Sequence, residues 1–319
     1  ALDLGPAPAI TIVAAPGSAG AAQNTAAVGG ATTDPQQGNN SASASTSVVP
    51  APPAPAITAP AWVPVGTTGQ AASVAEHPGS TYAWTLTGGT ITAGQSSSRI
   101  SFDAGLPGTT MRLEVTESVV GGGCPSPTST ALVQVDFLDV PPAHPFHDFV
   151  DTIARNGVTA GCGNGNYCPD SPNTRAQMAV LLLKSKLGAD HVPPPATGSV
   201  FLDVPASNPF APWIEELAGL GVTAGCGGGN YCPLAPVTRA QMAVFLLKTL
   251  EGSAYASPPA TGTVFGDVPI GGFAAAWIEE LYNRGVTGGC QASPLLYCPS
   301  NPVTRGQMAV LLVKTFGLL

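Results

Sequence analysis

A period of 64 residues runs through the second half of the chain and limits what it can fold into. Asp139, Asp203 and Asp267 stand 64 apart, and so do Cys162, Cys226 and Cys290. The third copy then gains two residues, because Thr174 to Thr238 is 64 and Thr238 to Thr304 is 66; the insertion lies in the last cysteine loop. Three copies result, at 137–192, 201–256 and 265–319, joined by linkers containing Pro194-Pro195-Ala196-Thr197-Gly198 and Pro258-Pro259-Ala260-Thr261-Gly262. A unit of about 60 residues has too little core to be comfortable alone. The copies are therefore expected to pack together as one body.

Each copy reads as two helices around a cysteine loop. Phe146, Phe149, Val150, Ile153 and Ala154 fall at i, i+3, i+4, i+7 and i+8, one apolar helical face. Phe210, Trp213, Ile214, Leu217 and Ala218 repeat the spacing, as do Ala274, Trp277, Ile278, Leu281 and Tyr282. Gly157, Gly221 and Gly285 follow where a left-handed C-cap is expected. The second helix opens at Thr174, Thr238 or Thr304 and is apolar nearly all round, which predicts burial on several sides.

Ahead of the repeats, 57–136 is enriched in β-formers. Tyr82–Thr87, Thr90–Thr92, Arg99–Phe102, Met111–Val115 and Ala131–Val135 are strand candidates separated by Gly- and Pro-containing turns. About seven short strands in such a length is the pattern of a β-sandwich. Residues 1–56 are mostly Ala, Pro, Gly, Ser and Thr, with Asp3 and Asp34 the charged residues, a linker or disordered arm by composition. One short piece, Ala9–Val13, reads as a strand.

Six of the seven cysteines fall into local pairs, Cys162/Cys168, Cys226/Cys232 and Cys290/Cys298. Such pairing in a low-charge, Ser/Thr/Gly-rich chain reads as disulfides formed outside the cytosol. Zinc is the rival, but two cysteines per loop make half a tetrahedral site, and no histidine sits beside any pair. Cys124 is left over, either a free thiol or paired with another chain.

The second helices open with Thr174-Arg175-Ala176-Gln177, Thr238-Arg239-Ala240-Gln241 and Thr304-Arg305-Gly306-Gln307. Thr-x-x-Gln is a capping box, which accounts for Thr and Gln but not for Arg. A cation in the first turn opposes the helix dipole, a penalty of some 0.3–1 kcal/mol. Three of the seven arginines nonetheless occupy this one position. Something negative should face them: an internal carboxylate, with Asp139, Asp203 and Asp267 the candidates, or an external anion at the helix start.

At these residues the chain resembles the S-layer homology family. The resemblance rests on Phe-x-Asp-Val at 137–140, 201–204 and 265–268, and on first helices carrying Trp213 and Trp277. It also rests on Gly-Val-Thr-x-Gly at 157–161, 221–225 and 285–289, and on the Thr-Arg openings. It implies an all-α pseudo-threefold triplet that binds anionic, often pyruvylated, envelope polysaccharide. In that family the arginine contacts the acidic sugar, which implies a glycan-binding role for Arg175, Arg239 and Arg305. Thr174, Thr238, Thr304, Asp139, Asp203, Asp267, Trp213 and Trp277 stand beside them as candidates. Here Gln177, Gln241 and Gln307 replace the usual Glu, which keeps the capping box, and each copy adds a cysteine pair. The segment 57–136 resembles the PKD/Ig-like modules of bacterial surface proteins, through Tyr82-Ala83-Trp84 and its Thr/Gly-rich strands.

The fold class is thus multidomain β + α: a low-complexity N-terminal arm, an Ig/PKD-like β-sandwich, and the helical triplet. With 11 Lys+Arg against 19 Asp+Glu, a net charge of −8 argues against a nucleic-acid partner. No apolar run is longer than Met178–Leu183, which is too short to span a bilayer. Ala1-Leu2-Asp3 lacks the basic start of a signal peptide, as in a mature form whose signal has been removed. His144-x-x-His147 with Asp148 and Asp151 reads as a solvated helix start rather than a metal site, since neither histidine recurs. Glu215-Glu216 and Glu279-Glu280 read as a solvent-facing helix edge, and neither a catalytic fingerprint nor a cofactor motif is present. The expectation is a secreted, non-enzymatic surface protein whose partners are anionic envelope polysaccharide, or copies of itself joined through the N-terminal arm.

Overall fold

The structure, a computed structural model, describes residues 20–31, 35–120 and 124–319. The strand expected at Ala9–Val13 lies outside these residues. Within the arm, β1 (Gly20–Ala27) and β2 (Ser41–Val48) form an antiparallel hairpin in register from Gly20↔Val48 to Ala27↔Ser41. This replaces the linker reading over 20–27 and 41–48. Both strands are exposed, so backbone pairing and contacts such as Thr25 Oγ1 to Ser43 Oγ at 2.8 Å hold the hairpin, not burial.

Seven strands follow: β3 (Trp62–Pro64), β4 (Gln70–Ser73), β5 (Ser80–Thr87), β6 (Thr90–Ala93), β7 (Arg99–Asp103), β8 (Thr109–Val119) and β9 (Ser129–Asp136). They make a four-stranded sheet in the order β3-β9-β8-β5 and a three-stranded sheet in the order β4-β7-β6. β3 runs parallel to β9, and the remaining pairs are antiparallel. Alternation sets which side chains face inward: Tyr82 and Trp84 of β5, Met111, Leu113 and Val115 of β8, Val133 and Val135 of β9, and Ile100 and Phe102 of β7 share one core. Trp84 keeps its indole N–H satisfied by donating to Ser97 O at 2.9 Å.

The three copies supply α1 (His147–Arg155), α2 (Arg175–Leu187), α3 (Ala211–Gly219), α4 (Arg239–Glu251), α5 (Ala275–Asn283) and α6 (Arg305–Phe316). The third cysteine loop also carries a two-stranded ribbon, β10 (Gln291–Ala292) with β11 (Leu295–Leu296), where the two extra residues fall. The triplet is therefore helical with a small ribbon rather than all-α. Gly157, Gly221 and Gly285 lie at φ of +66°, +70° and +71°. Past each of them, Val158, Val222 and Val286 donate back to Ile153, Leu217 and Leu281, closing Schellman motifs.

One continuous core runs through all three copies, from Phe137 and Ile153 through Met242 and Leu246 to Met308 and Leu312. α2, α4 and α6 touch one another at the centre. Each first helix packs on the second helix of the preceding copy: α3 on α2, α5 on α4, and α1 back on α6. The ring is closed. The sandwich abuts it at α1, where Gly108 (φ +71°) lies so close to the helix that a Cβ would overlap Asp151 O and Arg155 N. No helix among the described residues is long and apolar enough to cross a membrane.

Candidate functional site at the helix starts

The Thr-Arg-x-Gln segments converge on the pseudo-threefold axis. Just before them, Asn173 N donates to Val303 O, Val303 N to Val237 O and Val237 N to Asn173 O, at 2.9, 2.9 and 3.0 Å. All three capping boxes form: Thr174, Thr238 and Thr304 accept from the Gln177, Gln241 and Gln307 amides, and each glutamine Oε1 accepts in return. The next two helix N–H groups are taken by the following copy. Arg175 and Ala176 donate to Ala235 O and Pro233 O; Arg239 and Ala240 to Asn301 O and Pro299 O; Arg305 and Gly306 to Ser171 O and Pro169 O. The backbone donors that would greet an anion at a bare helix start are thus already used.

The arginine side chains do the same work across the ring. Nε of Arg175, Arg239 and Arg305 donates to Tyr231 O, Tyr297 O and Tyr167 O, each at 2.7 Å. Each guanidinium carbon lies 4.7 Å from the centroid of that same tyrosine ring. The tyrosine hydroxyls donate back to Arg175 O, Arg239 O and Arg305 O at 2.8–2.9 Å. What faces the arginines is therefore a carbonyl and a π-face. Burial pushes the guanidinium groups of Arg175 and Arg239 below their ordinary value, against the opposing pull of Tyr231 and Asp203, or Tyr297 and Asp267. Burial likewise pushes the Tyr167 and Tyr231 phenols up. These tyrosines recur immediately before the second cysteine of each pair, and that recurrence is the mark they leave in the sequence.

Asp139, Asp203 and Asp267 make no ion pair with the arginines among the described residues. Each spends its carboxylate on two backbone N–H groups of its own cysteine loop, those of Tyr167 and Cys168, Tyr231 and Cys232, or Tyr297 and Cys298, all at 2.7 Å. Those loops need holding, because Cys168, Cys232 and Cys298 sit at φ near +60°, a region that L-residues disfavour. The three expected disulfides close them, and Cys124 is free and exposed.

Grooves run between neighbouring copies. One, of about 270 Å³, places Arg305 on its floor beside Gly161, Gln177, Lys184 and Phe210. Its counterpart, about 220 Å³, collects Arg175, Thr223, Gly225, Gln241, Lys248 and Phe273. Arg175 Nη2 reaches Thr223 Oγ1 at 3.4 Å, whereas the buried Arg305 Nη2 has no hydrogen-bond partner among the described residues. A separate cavity of about 300 Å³ brings Thr238, Gln241 and Asp267 together. Lys184 and Lys248 were not singled out by sequence, although each recurs at one helical position; nothing local marks them as groove residues.

Trp213 and Trp277 line neither of these two grooves and stand half-buried beside the linkers. The His191 ring stands edge-on to Trp213 at 6.0 Å, and Tyr255 edge-on to Trp277 at 5.9 Å. The glutamate pairs hold these linkers, which corrects their reading as a solvent-facing edge. Glu215 accepts from the Thr197 and Gly198 amides at 2.7 Å, Glu279 from those of Thr261 and Gly262 at 2.6 and 2.7 Å. Glu216 pairs with His191 Nε2 at 2.7 Å, and Glu280 accepts from the Tyr255 hydroxyl at 3.1 Å. Burial raises the Glu215 and Glu279 carboxyls, but these donors outweigh it and both lie below the ordinary glutamate range.

The first copy departs here. His147, expected in solvent, is buried at the start of α1, with Nδ1 3.0 Å from Asp148 Oδ1 and Nε2 3.2 Å from Asp136 Oδ1. Burial, and then the charge of Asp136, push the Asp151 carboxyl up to about 6.

Residues 136–179 and 200–243 match the S-layer homology domain family. A cell surface protein of Thermoanaerobacter kivui is 30% identical over 116 residues, which are 36% of this chain and 15% of that protein. The chain therefore spans a small part of the length of this relative, and the likeness to S-layer homology domains covers its first two copies.

Proposed function

We propose that this is a non-enzymatic structural protein whose helical triplet attaches it to anionic envelope polysaccharide through the grooves between copies. The chain is located at the extracellular cell surface. The triplet takes in the third copy, 265–319, and the sandwich serves as an Ig/PKD-like spacer that carries the arm outward. The observation that carries the reading is Arg305, which lines a groove together with Lys184 and whose buried Nη2 has no hydrogen-bond partner among the described residues. An unpaired buried donor on a cation is costly unless an acceptor completes it, and a carboxylate of an acidic sugar is such an acceptor. Arg175 with Lys248 repeats the arrangement, and Arg239 with Lys314 occupies the corresponding sequence positions.

The arginines are poor probes of this reading, because Arg239→Ala also removes the bond to Tyr297 O and the ring contact that close the triplet. The lysines are better. Lys184→Gln, Lys248→Gln and Lys314→Gln together should weaken sedimentation with purified envelope polysaccharide at least tenfold and flatten its salt dependence, with helical circular dichroism unchanged. Wild-type binding by a folded triple variant would sink the groove reading.

A second reading is favoured by the hairpin β1–β2, whose faces and edges are exposed along nearly its whole length. We propose that it is completed by another copy, strand to strand, so that the protein assembles into filaments or sheets. Removal of residues 1–50 should abolish polymers seen by electron microscopy; polymers that persist exclude the arm as the connector.

A further inference from the structure

The junction between the sandwich and the triplet gathers three metal-ligating side chains from two elements. Asp136 is the last residue of β9, His147 the first of α1, and Asp151 lies one turn further along the same helix face. One ligand atom from each lies within 4.8 Å of the other two. Asp136 is 1% and His147 7% exposed.

The internal repeat supplies the comparison. Positions 64 and 128 further on, Asp136 corresponds to Val200 and Val264, His147 to Ala211 and Ala275, and Asp151 to Glu215 and Glu279. In the later copies the alanine is buried and the glutamate clasps a linker. The first copy, which follows a strand instead of a linker, replaces an apolar pair with Asp and His at the point where they meet Asp151.

The hydrogen bonds leave this cluster incomplete. With Nδ1–H donating to Asp148 Oδ1 at 3.0 Å, His147 turns Nε2 towards Asp136 Oδ1 at 3.2 Å and Asp151 Oδ2 at 3.9 Å. A proton on Nε2 serves Asp136 Oδ1 alone. Asp136 Oδ2 stays buried without a hydrogen-bond partner among the described residues, and two carboxylates still face each other. A dication answers all three atoms at once.

We propose that Asp136, His147 and Asp151 form a zinc-type divalent-cation site that fastens the sandwich to the first helix of the triplet, with Asp148 orienting the imidazole. One imidazole nitrogen and two carboxylate oxygens are a borderline donor set, suited to zinc and unlike the all-oxygen cages of calcium. Zinc bonds of about 2.0–2.1 Å place tetrahedral ligands roughly 3.3 Å apart, close to the His147–Asp136 separation and a small closure from the His147–Asp151 one. Carboxylate support of the far ring nitrogen, as Asp148 gives here, is the usual second partner of a zinc-bound histidine. Water takes the remaining position.

The test is calorimetric titration of the full chain, stripped with EDTA and desalted, with zinc chloride alone at neutral pH, paired with nitrogen-15 spectra of the His147 ring. One equivalent per chain is expected at micromolar zinc. Asp136→Asn and His147→Gln should abolish uptake, Asp148→Asn should weaken it about 10- to 100-fold, and His191→Gln should leave it unchanged. On saturation Nε2 should carry no proton. Absence of stoichiometric uptake, uptake that survives in Asp136→Asn and His147→Gln, or an Nε2–H that persists at zinc saturation would each overturn the site. Because the ring spectrum is read on the unaltered chain, the outcome does not depend on any variant folding.

Discussion

Replacing Asn173 by valine should stabilise the protein. Asn173 sits at the pseudo-threefold axis, fully buried, where the other two copies place Val237 and Val303. Its backbone completes the three-membered ring of hydrogen bonds, but neither Oδ1 nor Nδ2 of its side chain finds a partner among the described residues. An orphaned buried amide costs about 1–3 kcal/mol, and valine is of similar size and already accepted by the same backbone twice over. The substitution removes the desolvation penalty without opening a cavity, so a gain of about 1–2 kcal/mol is expected. For a cooperative unit of this size that raises Tm by roughly 2–8 °C. The assay is thermal and urea unfolding of the full chain followed by the helical circular dichroism band, because every α-helix described lies in the triplet. Val237→Asn is the reciprocal variant and should cost a similar amount by adding a second orphan amide. If Asn173→Val is neutral or destabilising while Val237→Asn is harmless, polar groups at the axis are satisfied and the reasoning fails.

Gly306→Ala should destabilise by about 1–3 kcal/mol despite the better helix propensity of alanine, because the new methyl would overlap Cδ2 and Cε2 of the Phe146 ring. The double variant with Phe146→Ala should remove that clash, and unfolding curves that show no coupling between the two sites would exclude it. The linker clasps predict an acid dependence. Glu215 and Glu279 lie below their ordinary value when folded, so their contribution is complete above the ordinary glutamate range and fades as pH falls through their lowered folded values. Hydrogen exchange at the Thr197, Gly198, Thr261 and Gly262 amides should accelerate in that window, and in Glu215→Gln/Glu279→Gln already at neutral pH; equal protection in wild type and variant would refute the clasp.

Local patterns were legible in the sequence and long-range ones were not. Thr174 and Gln177 are three residues apart, so the capping box could be read directly, as could the apolar faces of α1, α3 and α5 and the glycine that ends each. Five of the sandwich strands announced themselves by alternation; β3 and β4 are short and sit at sheet edges, where less alternation is needed. The partner of each arginine was missed for a physical reason. A backbone carbonyl has no letter in the sequence, and the one that holds Arg305 belongs to Tyr167, 138 residues away. Asp203 looked like the counter-charge to an arginine because its better use, two amides of a loop at positive φ, is likewise a matter of backbone. The glutamate pairs read as solvent-facing because nothing in the sequence shows that the Pro-rich linkers fold back over α3 and α5.

Because α1 returns to pack on α6, the number three is built into the architecture. An open solenoid can gain or lose a unit and change its stability by one interface at a time. This ring offers no end at which to add a unit: a fourth copy would have to break the contact of Arg305 with Tyr167 and widen the axis around Asn173, Val237 and Val303. A duplication confined to the triplet would be selected against, whereas change within a copy is tolerated, as the longer loop between Cys290 and Cys298 already demonstrates. Lineages built on this body should diversify in what they attach to it and in its loops, and keep the count.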